Sequence, residues 1–512
     1  MPPLKGLSRF LVTFSLSLAT FLIVLDYSIA NVSIPYISGD LAVSTDQGTY
    51  VITSFAVGNS IALPITGWLT KRVGGVKLIC LSLLLFVLFS WTCGMSRNIV
   101  FLVVSRFLQG FVSGPLVPLS QTLLILSNPP EKKRFALSTW STVVVAAPIL
   151  GPILGGWISY DFYWPWIFYI NIPIGLFCAI VIWSLLRKRE TEKESQPVDW
   201  IGLLLLAIGV CCLQIFLDKG EQFDWLRSNI MRTLITTSVI SFTFLIVWSI
   251  FSPKPLIEMK LFKIRTYALS VFFIFVSYGI YFGSVVLIPL WLQTDMGYTS
   301  TWAGLAVAPI GLPPLLFTII AGKLLNRFGP TVPLGIAFIF FSISCFYTAY
   351  LNTNVDIWSI GYSRLLLGFA VVFWVSIFTL FLQDVSGPQL ASATGIFHFF
   401  RAMSGAVGTA VFTTMWTRRS AYHHAVVGEN LTAYSRQTEG YLDKLDQVGL
   451  SGEQGLAQLN VALNHQADVL AINDCFYFMG WVFLAILLFL PFGISRKKRD
   501  GSQPSHQVSV GE

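Results

Sequence analysis

The chain has 512 residues, 11% of them charged and 54% hydrophobic, with a mean hydropathy of +0.71. An average soluble domain is about 25% charged, so composition excludes an ordinary soluble enzyme, a disordered chain and a secreted disulfide scaffold, and implies an integral membrane protein. The net charge of +8 would suggest nucleic-acid binding in a soluble protein; in a membrane protein the placement of the basic residues has to be read first.

Crossing a bilayer takes roughly 20 apolar residues. Fourteen such runs lie near 10–35, 50–69, 77–95, 99–127, 135–158, 165–186, 199–217, 231–251, 267–292, 301–322, 331–350, 357–382, 391–416 and 471–492. Runs such as Leu78–Leu88 are apolar without alternation, which predicts helices rather than barrel strands. The first run follows Lys5 and Arg9 like a signal peptide but continues without an A-x-A site, so it is expected to stay in the protein. With a cytoplasmic N-terminus, 22 of the 33 Lys and Arg fall in inner segments, 8 in outer segments and 3 within spans. That bias predicts both termini inside. The longest polar segment, 417–470, then lies outside, and Gln437–Leu459 within it reads as helical. The seven cysteines have neither metal-site nor disulfide spacing and read as small packing residues.

An internal repeat organises the spans. Gly67-Trp-Leu-Thr-Lys-Arg72-Val-Gly74 follows span 2, and Gly322-Lys-Leu-Leu-Asn-Arg327-Phe-Gly329 follows span 10. Two spans after each comes an intramembrane Arg-x-x-x-Gly, Arg106–Gly110 and Arg364–Gly368. The offset of eight spans implies two six-span units with two extra spans between them, and parallel six-span repeats place a site at their interface. The expected divisions are an N-terminal bundle at 1–190, the inserted pair with linkers at 191–255, a C-terminal bundle at 256–500 and a disordered cytoplasmic tail at 501–512.

A charge at mid-membrane costs about 2.5–3.5 kcal/mol on insertion scales, so each one calls for a role. Asp26, Arg106, Arg364 and Arg401 are such charges, and His398 is a fifth ionisable group. Asp26 is read as the proton carrier, tuned by Arg106; the bland alternative is a permanent pair that fixes helix packing. Gln109, Ser113 and Ser120 share the Arg106 face at helical spacing, which predicts an interior lining or a hydrogen-bond hub. His398 and Arg401 share a face at i, i+3; His398 reads as a neutral cavity-wall group or as a proton relay. Tyr278 and Tyr281 could stack on aromatic substrates or simply pack, and Asn31 joins the polar set of span 1. Pro148-Ile-Leu-Gly151-Pro152-Ile-Leu-Gly155-Gly156 predicts a close, bendable helix seam. Walker A, H-E-x-x-H and zinc-spacing motifs are absent from the sequence, so neither a metal nor a cofactor is expected, with protons as the coupling ion.

These elements resemble the major facilitator superfamily and, within it, the fourteen-span drug:proton antiporters. Leu25-Asp26-Tyr-Ser-Ile-Ala-Asn31-Val-Ser-Ile-Pro35 is similar to the span-1 motif of that subgroup, Arg106-x-x-Gln109-Gly110 to the span-4 motif, and Gly151-Pro152-x-x-Gly155-Gly156 to the antiporter motif. Trp166–Gly175 is similar to the segment that follows the antiporter motif, and Gln47–Phe55, Gly67–Gly74 and Met415–Ala425 resemble the EmrB-type inner-membrane subunits of proteobacterial multidrug pumps. The resemblance implies an all-α major facilitator fold and export of hydrophobic and amphipathic toxic compounds across the inner membrane, without enzymatic chemistry. It also implies a periplasmic adaptor of the EmrA type and an outer-membrane channel of the TolC type. Two positions depart from the pattern. Lys71 and Asn326 stand where the loop motif usually has an acid, so its acid-centred latch does not carry over; His398 stands where relatives are expected to have Asn. Rivals are a dedicated exporter of one fatty acid, siderophore or peptide, a facilitator or proton-coupled importer, and a membrane-embedded enzyme.

Overall fold

The computed structural model describes residues 6–191, 193, 197–253, 255–382, 384–385, 389–429, 431–432 and 435–493; the tail at 501–512 lies outside them. The described chain is helical, and eleven of its helices are long and apolar enough to cross a membrane. They are α1 (Gly6–Asp40), α2 (Tyr50–Val73), α3 (Gly75–Gly94), α4 (Ile99–Ser127), α6 (Trp166–Leu186), α7 (Trp200–Lys219), α8 (Asn229–Phe251), α9 (Arg265–Thr294), α11 (Thr331–Thr348), α12 (Ile357–Leu382) and α14 (Glu453–Phe492). The three remaining expected spans are also helical: α5 (Pro130–Asp161), α10 (Ser300–Val307 and Leu312–Phe328) and α13 (Leu390–Gly428). Their lower hydropathy has local causes. Pro309 and Pro313 break α10 with a 3-10 turn at Ala308–Gly311, and α13 carries His398, Arg401 and a run of Ser, Thr and Gly on faces turned inward.

Helices α1–α6 pack among themselves, as do α9–α14. Their outer faces are apolar: Leu81, Leu84 and Leu88 recur at helical spacing on α3 and are all exposed, as a lipid-facing stripe requires. The tightest helix approaches are made by glycines, and they recur in the two halves. A Cβ on Gly110 would lie 2.2 Å from the Phe55 carbonyl oxygen, and one on Gly368 would lie 2.5 Å from that of Ile310. Thus the Arg-x-x-x-Gly glycine sits on a neighbouring backbone in both repeats. Gly151 packs on Ser28 and Gly155 on Ile29 where α5 meets α1, while Gly408 packs on Gly279 where α13 meets α9. Gly156 is buried in the same seam, and the side chain of Pro152 lies outside the described residues. Gly74 and Gly329 end α2 and α10 at φ +97° and +71°, a backbone region open to glycine and costly for other residues. That explains the last glycine of each loop motif.

Helices α7 and α8 form a pair, joined where Ser238 Oγ donates to the Gly209 carbonyl at 2.9 Å. Asp199 caps α7 by accepting from the Gly202 N–H, and it also accepts from Trp248 Nε1 and the Leu256 N–H. At the other end, Thr53 donates to Asp218 at 2.7 Å and Lys219 donates to Thr49 Oγ1, so α7 is pinned to α2. Helix α7 also touches α13, and the pair therefore covers one flank of the junction between the two bundles.

The expected outer loop is largely helix. Helix α13 has 39 residues, about 58 Å at 1.5 Å per residue, against a hydrocarbon core of about 30 Å. Its C-terminal half runs beside the polar start of α14, held by Arg419–Asp474 (2.6 Å), His423–Asp474 (2.7 Å) and Trp416 Nε1 on the Asp468 carbonyl. A short helix, Arg436–Gln447, lies between them, and a turn with Gly449 and Gly452 at positive φ interrupts the expected Gln437–Leu459 helix. Below this stalk Asp295, which follows α9, meets Asp468. Burial and the neighbouring carboxyl push Asp295 up from 3.8 to about 6.

Two outcomes are expected. Gly408→Ala should destabilise the protein by about 1–3 kcal/mol, since its Cβ meets backbone, whereas Gly322→Ala, with open space at its Cβ, should stay within about 0.5 kcal/mol; melting in detergent checks both. The native state holds the Asp295 proton more tightly than the unfolded chain. Its contribution to stability is therefore present at low pH and falls as pH rises from about 4 to about 6. Asp295→Asn should flatten that part of the melting-temperature profile.

Candidate functional site: a buried carboxylate network and the cavity beside it

Asp26 lies on the inward face of α1, and Arg106 on α4 reaches it. Arg106 NH1 donates to Asp26 Oδ2 at 2.6 Å, and both side chains are fully buried. The other carboxylate oxygen accepts from Asn171 Nδ2 at 2.6 Å and Gln109 Nε2 at 3.2 Å. Gln109 and Asn171 both also donate to Ser90 Oγ, at 2.8 and 3.4 Å. Arg106 donates further to Gln109 Oε1 and to the Val51 carbonyl, and its guanidinium lies 4.3 Å from the Phe55 ring centre. Among the described residues Arg106 NH2 and Asn171 Oδ1, both buried, have no hydrogen-bond partner. Four helices of one bundle (α1, α3, α4 and α6) thus converge on one carboxylate. Such an arrangement stabilises the anion, and a proton arriving at Asp26 must displace one of its charged or amide donors.

Sequence reasoning found Asp26, Arg106 and Gln109 but did not assign Ser90 or Asn171 to the site. Asn171 was legible as an amide in an apolar run, within Ile170-Asn171-Ile172-Pro173. Ser90 carried no signal, because serine is common in such helices.

The central cavity lies beside this network, and Phe55, whose ring the Arg106 guanidinium covers, also lines it. It has a volume of about 130 Å³ and is lined by Ile23, Val24 and Tyr27 of α1, Phe55 and Asn59 of α2, Val117 of α4, Gln214 of α7, Tyr278 and Phe282 of α9, and Arg401 of α13, among others. Drug-sized sites run about 300–1,000 Å³, so this space is smaller than such a site. Of the expected cavity residues, Tyr278 and Arg401 line it, with the Arg401 guanidinium 4.8 Å from the Tyr278 ring centre. The others are placed elsewhere. Gln109 belongs to the carboxylate network, Ser113 accepts from Asn59 at 2.9 Å, and Tyr281 is buried against Trp374 at 4.6 Å. Asn31 is exposed. Contributions from α2 and α7 were not expected, because helical spacing orders residues on one helix and does not say which neighbour a face meets.

His398 bridges the bundles. Arg401 Nε donates to its Nδ1 at 3.1 Å, so the ring proton sits on Nε2, which points at Gln121 Oε1 of α4 at 2.8 Å. Nearby, Thr122 and Thr394 hydroxyls meet at 3.1 Å, a Cβ on Gly395 would lie 2.6 Å from the Leu63 carbonyl, and one on Gly67 would lie 2.2 Å from Ser392 Oγ. At the same end Lys71 Nζ pairs with Glu258 at 2.8 Å, and Ser392 Oγ donates to the same oxygen at 3.1 Å. The loop motif therefore does form an ionic latch, with the cation on its own side and the acid on the segment preceding α9. Arg72 and Arg327 instead lie over the rings of Trp68 and Phe328 at 5.2 and 5.3 Å. Arg364, the repeat partner of Arg106, is held by the hydroxyls of Ser284, Ser363 and Thr348; among the described residues it forms no ion pair with a carboxylate.

The sequence profile of the Major Facilitator Superfamily matches residues 16–409. The chain belongs to the major facilitator superfamily. It is 41% identical to the multidrug export protein EmrB of Haemophilus influenzae over 96% of this chain and 98% of that one. It is 40% identical to EmrB of Escherichia coli K12 over 95% of each. The fatty acid resistance protein FarB of Neisseria gonorrhoeae is also 40% identical, over 95% of this chain and 96% of that one. A solved structure of XylE, a double tryptophan mutant, shares the fold at a TM-score of 0.59 and 15% identity, covering 95% and 96% of the two chains. The chain is thus a transporter of the EmrB-type branch of this superfamily and not an enzyme.

If the Lys71–Glu258 latch holds this end shut, Lys71→Glu should speed maleimide labelling of a cysteine placed at Thr394, and the exchange Lys71→Glu with Glu258→Lys should restore the slow rate. Both side chains are about a quarter exposed, so the pair is expected to contribute up to about 1 kcal/mol, or a rate change of roughly fivefold.

Proposed function

We propose that this superfamily member is a proton-driven multidrug exporter of the inner membrane. In this reading the basic ends of the helices face the cytoplasm, both termini included, and all fourteen helices span. The bundles at 1–190 and 256–500 rock about the central cavity, with 191–255 as an inserted flank. A periplasmic adaptor of the EmrA type and a TolC-type outer channel complete the path, and the α13–α14 stalk is the element available for docking. The reading is carried by one observation: Asp26 is a fully buried carboxylate held by three donors beside the cavity.

Protonation of Asp26 cancels the charge that Arg106 balances. Leaving one member of a buried ion pair uncompensated costs about 3–5 kcal/mol, so Arg106 and the α2 carbonyl it holds must rearrange. Moving one charge through 100 mV supplies about 2.3 kcal/mol, which is on that scale. Because Tyr27 is the next residue along α1 and lines the cavity, a shift of α1 changes the cavity wall. Release of the proton re-forms the pair and resets the closed state.

Asp26→Asn should abolish drug accumulation driven by a pH gradient in inverted vesicles, while the purified variant keeps a single cooperative melt. Undiminished gradient-driven uptake by that variant would remove Asp26 from the coupling step. A second reading, export of one fatty acid, is favoured by the 40% identity to FarB. A panel of cationic dyes, neutral drugs and long-chain fatty acids in the same vesicles separates the two by the range of compounds transported.

A further inference from the structure

A second cavity is larger than the central one. A space of about 990 Å³ lies on the flank where α7 and α8 cover the junction, walled by α2, α9, α13 and the segment preceding α9. Its wall along α13 runs from Gln389, the cap of that helix, to Val407, a rise of about 27 Å. Most of the lining is apolar, with Leu245, Phe400 and Met403 as examples, and its charges gather at one end as Lys71, Glu258, Lys260 and Lys263. Among the described lining residues Lys71 and Glu258 neutralise each other, which leaves Lys260 and Lys263 as their net positive charge.

An elongated apolar slot with a cationic mouth matches one ligand chemistry. We propose that this flank cavity binds a single-chain anionic amphiphile, with its acidic head at Lys260 and Lys263 and its chain along α13. The volume lies at the upper end of the range for drug-sized ligands. In this proposal access comes from the bilayer, because Ile246 and Ile250 of the apolar helix α8 line the cavity and are also exposed at the surface. The slot also abuts the central cavity: Leu213, Phe275 and Phe400 face the slot, while Gln214, Tyr278 and Arg401 on the same three helices face the centre. Among the described lining residues of the central cavity Arg401 is the one full charge, so it is the next cation an acidic head meets. The slot is a vestibule from one leaflet. For the direction of traffic the proposal rests on the export reading; binding itself does not.

The test is photolabelling of the full-length protein in neutral phosphatidylcholine nanodiscs, using a diazirine analogue of palmitate and the corresponding alcohol, with labelled peptides mapped by mass spectrometry. The acid should label Phe399–Met403 and Leu245–Ser249 more strongly than the alcohol does. Lys260→Gln with Lys263→Gln should lower acid labelling roughly fivefold, the scale of two partly screened charge contacts, and leave alcohol labelling unchanged. Lys260→Arg with Lys263→Arg should retain it, which separates charge from any effect on folding. Equal labelling by acid and alcohol, label spread evenly over the lipid-facing helices, or loss of label in the arginine pair would overturn the proposal. So would complete displacement of the probe by phosphatidylglycerol at low mole fraction, which would assign the slot to a structural phospholipid. Since no transport is measured, failure of proton coupling at Asp26 and failure of this site are distinguishable.

Discussion

A carboxylate placed in a dry helical interior needs compensation, and most of the N-terminal bundle is arranged around supplying it to Asp26. Arg106 provides the countercharge at 2.6 Å, Asn171 and Gln109 fill the remaining acceptor positions, and Ser90 positions both amides. The requirement reaches beyond these side chains. Arg106 comes close enough to hold the Val51 carbonyl because Gly110, one turn along, lets α4 lie against α2 at Phe55. Helix spacing and charge compensation are therefore one constraint, and a side chain at Gly110 would disturb both.

The C-terminal bundle repeats the scaffold without the chemistry. Arg364 and Gly368 reproduce the spacing and the backbone contact, yet Arg364 is satisfied by three hydroxyls. A guanidinium held by hydroxyls fixes its helices, and among the described residues it meets no carboxylate. The loop motifs diverge in the same way. Gly67 touches the opposite bundle at Ser392, whereas a Cβ on Gly322 would meet no atom of the described residues within 4 Å. The closed end is thus built from one repeat's motif pressed on the other bundle, with Lys71–Glu258 across it.

That junction is polar where it must separate. Gln121–His398, Thr122–Thr394 and Lys71–Glu258 are polar contacts that can exchange partners with water, set beside the close glycine approaches of Gly67 and Gly395 across the same junction. Interfaces that open and close favour such groups, because an apolar junction of equal area would be costly to expose. The inserted helices flank this junction, are tied mainly to α2 and wall the flank cavity.

Much of this was legible in the residues. Composition and run length specify a multi-span helical protein, because nothing else accommodates so few charges. The doubled Gly-x-Leu-x-x-Arg-x-Gly and Arg-x-x-x-Gly elements specify two related bundles, and an isolated acid among apolar residues marks Asp26. What they could not specify is which helix each polar face meets. Helical period fixes neighbours along one helix, while the partner across a seam depends on packing among many helices at once. Only the tertiary structure therefore brought Asn171 and Ser90 to the carboxylate and turned Gln109 and Ser113 away from the cavity. It also set Gln214 of an inserted helix into the cavity wall and made Lys71, where an acid was the familiar residue, the cation of a latch.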